Sequence, residues 1–112
     1  MSLSDKKCAP CSGKTPRLSS DEAKILAEQI PGWKLDLEAG AGSAGLYRHY
    51  KFKNFAEAVK FINQVAVIAE EQGHHPDLHL INYNQVSLWL TTHAIRGLSD
   101  NDFIVAAKIS LL

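Results

Sequence analysis

Apolar residues return along this chain in two rhythms. In some stretches they recur every three or four positions, as on one face of a helix. In others they alternate with polar residues, as in a half-buried strand. "LSSDEAKILAEQIPGW" belongs to the first kind. Ser19 stands three before Glu22, a capping signature, and Ile25, Leu26 and Ile30 follow at helical spacing until Pro31 and Gly32 end the run. "WKLDLE" then alternates, with Trp33, Leu35 and Leu37 on one side. After the glycine-rich "AGAGSAG", "LYRHYKFK" alternates again, setting Leu46, Arg48, Tyr50 and Phe52 against Tyr47, His49 and Lys51. These two runs predict a hairpin with a long loop.

"NFAEAVKFINQVAVIAEEQG" carries the strongest helical signal. Asn54 caps it, with Glu57 three further on. Phe55, Val59, Ile62, Ala66 and Ala69 form a stripe that Phe61, Val65 and Ile68 widen, as in a central core helix. Gly73 suits the left-handed position that ends helices. "LHLIN" and "VSLWLTTH" predict a second hairpin turning at "YNQ". Val86, Leu88 and Leu90 lie on one side of the last strand, with Trp89 and His93 on the other. Ser99 and Asp102 start a final helix, with Phe103, Ile104, Ala107 and Leu111 on its apolar side. The predicted order is α-β-β-α-β-β-α. Two hairpins among three helices give a two-layer α+β fold, a four-stranded antiparallel sheet with helices on one face. Residues 1–17 hold two prolines, a glycine and three lysines, and read as a mobile leader before a single domain at 18–112.

Composition narrows the function. The chain is 46% hydrophobic and 21% charged, which suits an ordinary globular domain. Twelve basic and twelve acidic residues leave no net charge, against nucleic-acid binding through bulk positive charge. No apolar run is long enough to span a membrane, and the first residues lack the apolar stretch of a secretory signal, so the cytoplasm is the expected compartment. Cys8 and Cys11 form a lone CxxC in the leader. Two thiols do not complete a four-ligand zinc site, and no strand–helix pattern surrounds them as in a redox motif.

The densest chemistry lies in "EEQGHHPDLHL", which holds three of the five histidines. His74 and His75 follow the end of the long helix, where the helix dipole favours an imidazolium. Pro76 pushes His75 toward an extended conformation. If residue 77 pairs near residue 91, the second hairpin returns His93 to the same corner. Three imidazoles there suit a catalytic metal, an acid–base site, or a surface cluster with no role. No H-E-x-x-H motif is present, and the rings of adjacent histidines diverge, which weakens the metal reading. His49 and His79 are explained by their strand positions.

An ordered set of motifs carries a resemblance. Glu70, His74, His75 and Pro76 are followed by Tyr83, by Thr92 and His93, and by Gly97, Leu98, Ser99 and Asp102. "GW" (Gly32, Trp33) and "FKNF" (Phe52 to Phe55) precede them. From about residue 18 onward the chain resembles the pterin-4a-carbinolamine dehydratases. The resemblance implies the same α+β fold. It implies loss of water from 4a-hydroxytetrahydropterin to give quinonoid dihydropterin, in the recycling of tetrahydrobiopterin spent by aromatic amino acid hydroxylases, with no metal or organic cofactor. By resemblance His74 and His93 are the acid–base pair, and His75 binds the pterin or shares in proton transfer. Glu70 orients His74 or is a solvated helix residue, Asp102 serves His93 or the substrate or only caps its helix, and Trp33 is a core residue or offers a flat surface to the pterin. A homodimer or homotetramer is implied, with a small-molecule pterin as the partner. The chain departs from some relatives at Gly73, where they carry an acid, and from animal relatives at Asn101, where they carry arginine. The family also allows a second function. Animal relatives are dimerisation cofactors of a homeodomain transcription factor, and some microbial members are linked to molybdopterin metabolism.

Overall fold

The computed structural model describes residues 2–10, 12–37 and 44–112. Cys11 and most of the glycine-rich loop therefore lie outside the described residues. Helix α1 runs over Ser20–Ala27, strand β1 over Lys34–Asp36, β2 over Gly45–Lys51, helix α2 over Phe55–Gln72, β3 over Asp77–Ile81, β4 over Gln85–Leu90 and α3 over Asp100–Ile109. The strands form one antiparallel sheet in the order β1-β2-β4-β3. This is the expected α+β class.

Local chemistry sets the element ends. At α1, the Ser19 hydroxyl accepts from Glu22 N at 3.1 Å and Glu22 Oε1 accepts from Ser19 N at 2.9 Å, so each side chain satisfies the other's backbone. At α2, Asn54 Oδ1 accepts from Glu57 N at 2.8 Å, and Gly73 ends the helix at φ 64°. A turn through Asn82 and Tyr83, both at positive φ, joins β3 to β4. It lies one residue earlier than "YNQ". Asp77 therefore pairs with Trp89 rather than residue 91. A shift of two positions leaves every side chain on its expected face.

Leu46, Val86, Leu88 and Leu90 point from the sheet into the core, where α2 contributes Ala58, Phe61, Val65 and Ala69. The inward face of α2 thus joins Phe61 and Val65 of the widening set to Ala69 of the main stripe and adds Ala58. Phe55, first in the predicted stripe, is more than half exposed. On α1 the inward positions are Ala23 and, beyond its end, Ile30, whereas Ile25 faces out.

Helix α3 is buried nearly all round, from Asn101 to Ala107 and again at Ile109. One reason lies in the first residues of the chain, expected to be a mobile leader. A short turn at Leu3–Asp5 packs on α3, with Leu3 in the core and Lys108 Nζ donating to Ser4 O at 2.8 Å. A single buried leucine suffices to dock a segment whose composition is otherwise polar.

Candidate active site

The end of α2 meets the start of α3 at the histidine corner. Because Gly73 turns the chain left-handed, His74 leaves the line of the helix and faces inward, only 6% exposed. Its Nε2 donates to Asp102 Oδ1 at 2.6 Å. Asp102 is fully buried. Its other oxygen accepts from the Thr92 hydroxyl at 2.7 Å and from Ser99 N at 3.0 Å. Three donors converge on this carboxylate, so its oxygens are hydrogen-bonded away from water. The Ser99 hydroxyl completes the set, lying 2.7 Å from Thr92 Oγ1. Because Thr92 gives its own proton to Asp102, it is the acceptor in that contact.

An ionised carboxylate only accepts, so the proton between the partners sits on His74 Nε2. The carboxylate thus holds the imidazole in one tautomer and one orientation.

His75 pairs with Glu70, Nε2 to Oε2, at 2.6 Å, and both side chains are largely exposed. His93 lies beyond β4 in a short turn at His93–Ile95, closed by Thr92 N donating to Gly97 O at 2.9 Å, with Arg96 in the left-handed region at φ 49°. All three histidines line one cleft of about 230 Å³, together with Gly73, Thr91, Thr92 and Ala94. Ligand cavities for drug-sized molecules run to roughly 300–1,000 Å³, so this cleft suits one small ring system. Larger concavities lie against the outer sheet face, at Lys34, Asp36, Tyr47 and Trp89, and along α2, at Phe55, Lys60 and Val67. Neither is lined by a histidine, whereas the smaller cleft gathers three.

Each carboxylate meets a histidine other than the expected one. Glu70, expected to orient His74, meets His75. Asp102, expected to serve His93 or the substrate, holds His74. Helical spacing of four places side chains together only while the helix lasts, and His74 lies past its end. Of the two readings of Trp33, core or pterin surface, the structure bears out the first. The indole N–H of this core residue donates to Ser110 Oγ at 3.0 Å, at the opposite end of α3 from Asp102. Ser99 meets Asp102 through the capping spacing that the sequence shows. Thr92 was part of the quoted motifs but had no assigned role, and its bond to Asp102, ten positions on, is one that no local spacing encodes. Among the described residues, no group of three His, Cys, Asp or Glu is placed to hold a metal ion.

Comparison with known proteins identifies the family. The sequence model of the family described as pterin 4 alpha carbinolamine dehydratase matches residues 16–112. A protein of Halorhodospira halophila, named provisionally as such a dehydratase, is 42% identical over 112 residues, covering all of this chain and 98% of that protein. Pterin-4-alpha-carbinolamine dehydratase 2, mitochondrial, of Arabidopsis thaliana is 45% identical over 111 residues, which are 98% of this chain and 58% of that one. A crystal structure from Brucella melitensis, described as a transcriptional coactivator/pterin dehydratase, has a TM-score of 0.74 and 31% identity, covering 86% of this chain and 97% of the other. With its buried His74–Asp102 pair, its histidine-lined cleft and a match spanning nearly the whole chain, this protein belongs to the pterin-4-alpha-carbinolamine dehydratase family.

Proposed function

We propose that this chain dehydrates 4a-hydroxytetrahydropterin to quinonoid dihydropterin by histidine acid–base catalysis, in the recycling of tetrahydrobiopterin. The observation that carries the reading is one buried, carboxylate-held imidazole at a cleft whose rim bears two more. Water leaves C4a only with an added proton, and N5 gives up its own as the C4a=N5 double bond forms. One imidazolium and one neutral imidazole near pH 7 meet both needs. His74 and His93 form this pair, and Asp102 positions His74. His75, steadied by Glu70, orients the ring. The step breaks the C4a–O bond with two proton transfers and no change of oxidation state, so it calls for no metal or organic cofactor. The enzyme acts in the cytoplasm as a homodimer or homotetramer. Exposed Phe55 and Val67 on α2 are consistent with a face for a second copy.

The test uses chelator-treated protein and chemically generated 4a-hydroxytetrahydropterin, with dehydration followed by absorbance. Acceleration unaffected by the chelator is expected. His74→Ala and His93→Ala should each lower turnover by about tenfold or more, and further than His79→Ala, given the usual acid–base contribution of roughly 10²–10⁴-fold. Equal and small losses at all three histidines would overturn the reading, and loss of activity on chelation would replace it with a metal-dependent one.

A further inference from the structure

The first residues of the chain reach the catalytic corner without entering the cleft. Leu3 anchors them in the core and Lys108 Nζ holds Ser4 O. Further along, Cys8 N donates to Gln72 Oε1 at 2.9 Å. Ala9 N donates to Asn101 Oδ1 at 3.0 Å, and Asn101 Nδ2 donates back to Ala9 O at 2.7 Å. The Cys8 thiol lies 3.6 Å from Asn101 O. Gln72 is the last residue of α2, two before His74, and Asn101 directly precedes Asp102. Residues 8 and 9 therefore tie the helix end that presents His74 to the helix start that presents Asp102. Asn101 is 4% exposed, and its amide both accepts from and donates to the backbone of a single leader residue. Neither Gln72 nor Asn101 lines the cleft.

We propose that residues 3–9 form a strap, engaged through Asn101 and Gln72, that fixes the spacing of His74 and Asp102 and so positions the proton-transferring ring for dehydration. This rests on the dehydratase reading above. Asn101 and Gln72 are positioning residues, acting on the ring through the backbone of Asp102 and of the α2 end. Proton transfer depends on distances held to a fraction of an ångström, so a strap outside the cleft governs turnover more than substrate affinity.

The experiment compares three full-length variants with the parent chain. Leu3→Glu places a charge in the core and releases the strap, Asn101→Ala removes both bonds to Ala9, and Leu3→Met keeps the anchor apolar. Turnover and KM are measured, with proton NMR of the His74 Nε2–H, whose short bond to a buried carboxylate places it far downfield. Leu3→Glu and Asn101→Ala should each lower turnover by about tenfold, leave KM nearly unchanged, and broaden or shift the downfield proton. Leu3→Met should match the parent. Unchanged turnover and an unmoved proton in Asn101→Ala, with proteolysis showing residues 2–10 released, would overturn the proposal. If Leu3→Glu fails to fold, Gln72→Ala, which removes only the Cys8 contact, takes its place under the same criteria. If the parent chain shows no dehydratase activity, the functional reading fails, and the downfield proton alone decides for or against the strap.

Discussion

At the scale of single residues, the two carboxylates near the histidines differ in how much their charge matters. Asp102 has no exposure and three donors, so its charge is held by the protein rather than by water. Asp102→Asn keeps the shape but sets an N–H against groups that already donate. Removing one partner of a buried pair costs about 3–5 kcal/mol. We expect a loss of that order in urea unfolding and a fall in turnover of about 10²-fold or more in stopped-flow assays. Glu70 is exposed, and an exposed ion pair contributes about 0–1 kcal/mol. Glu70→Gln should therefore leave stability nearly unchanged and lower turnover by no more than about threefold, the same assays deciding. The sequence singled out both acids and could not tell them apart. His74 and Asp102 are 28 positions apart, and only the folded chain shows which acid is dry.

At the scale of elements, most of the architecture was legible because each element carries its own punctuation. The Ser19–Glu22 exchange, the Asn54 cap and the Gly73 stop lie where local rules place them. Which stripe of α2 faces inward was less legible. The helix is apolar over more than half its circumference, so its periodicity admits more than one inward face, and packing against the sheet selects Ala58, Phe61, Val65 and Ala69. The outer face of the sheet holds a tighter constraint. Gly45 on β2 lies under the ring of Trp89, and an added Cβ would fall 2.2 Å from Trp89 Cζ2. Gly45→Ala must displace the indole or the strand. Overpacking of this kind costs about 1–3 kcal/mol. A fall in thermal midpoint, and a change in Trp89 fluorescence in the folded state, would register it.

At the scale of the whole molecule, the leader shows where reading by composition stops. Its prolines, glycine and lysines describe a chain that cannot build a core alone. They do not describe one that borrows a core through Leu3 and a partner amide more than ninety positions away. A different global property follows from Tyr50, wedged between sheet and α2 with its ring centroid 4.5 Å from that of Phe61. Its hydroxyl is cut off from solvent and, among the described residues, has no hydrogen-bond partner. Burial raises its pKa above the ordinary phenol value, and the Arg48 guanidinium over the ring opposes that shift. The folded state thus favours the neutral phenol. The unfolded chain ionises near pH 10, so stability falls as pH climbs past that value. Tyr50→Phe should remove this alkaline loss. At neutral pH it should also gain about 1 kcal/mol by deleting an unsatisfied hydroxyl, read from denaturant midpoints at several pH values.

One carboxylate accepts from the backbone N–H of Ser99, just before α3 begins, and also grips the His74 ring. Winding of the chain's last helix and placement of the His74 ring are therefore a single event. On the proposed chemistry, a molecule whose final helix has frayed at its first turn retains most of its bulk and loses its means of moving protons. On gentle warming, catalysis should fade while the sheet is still intact.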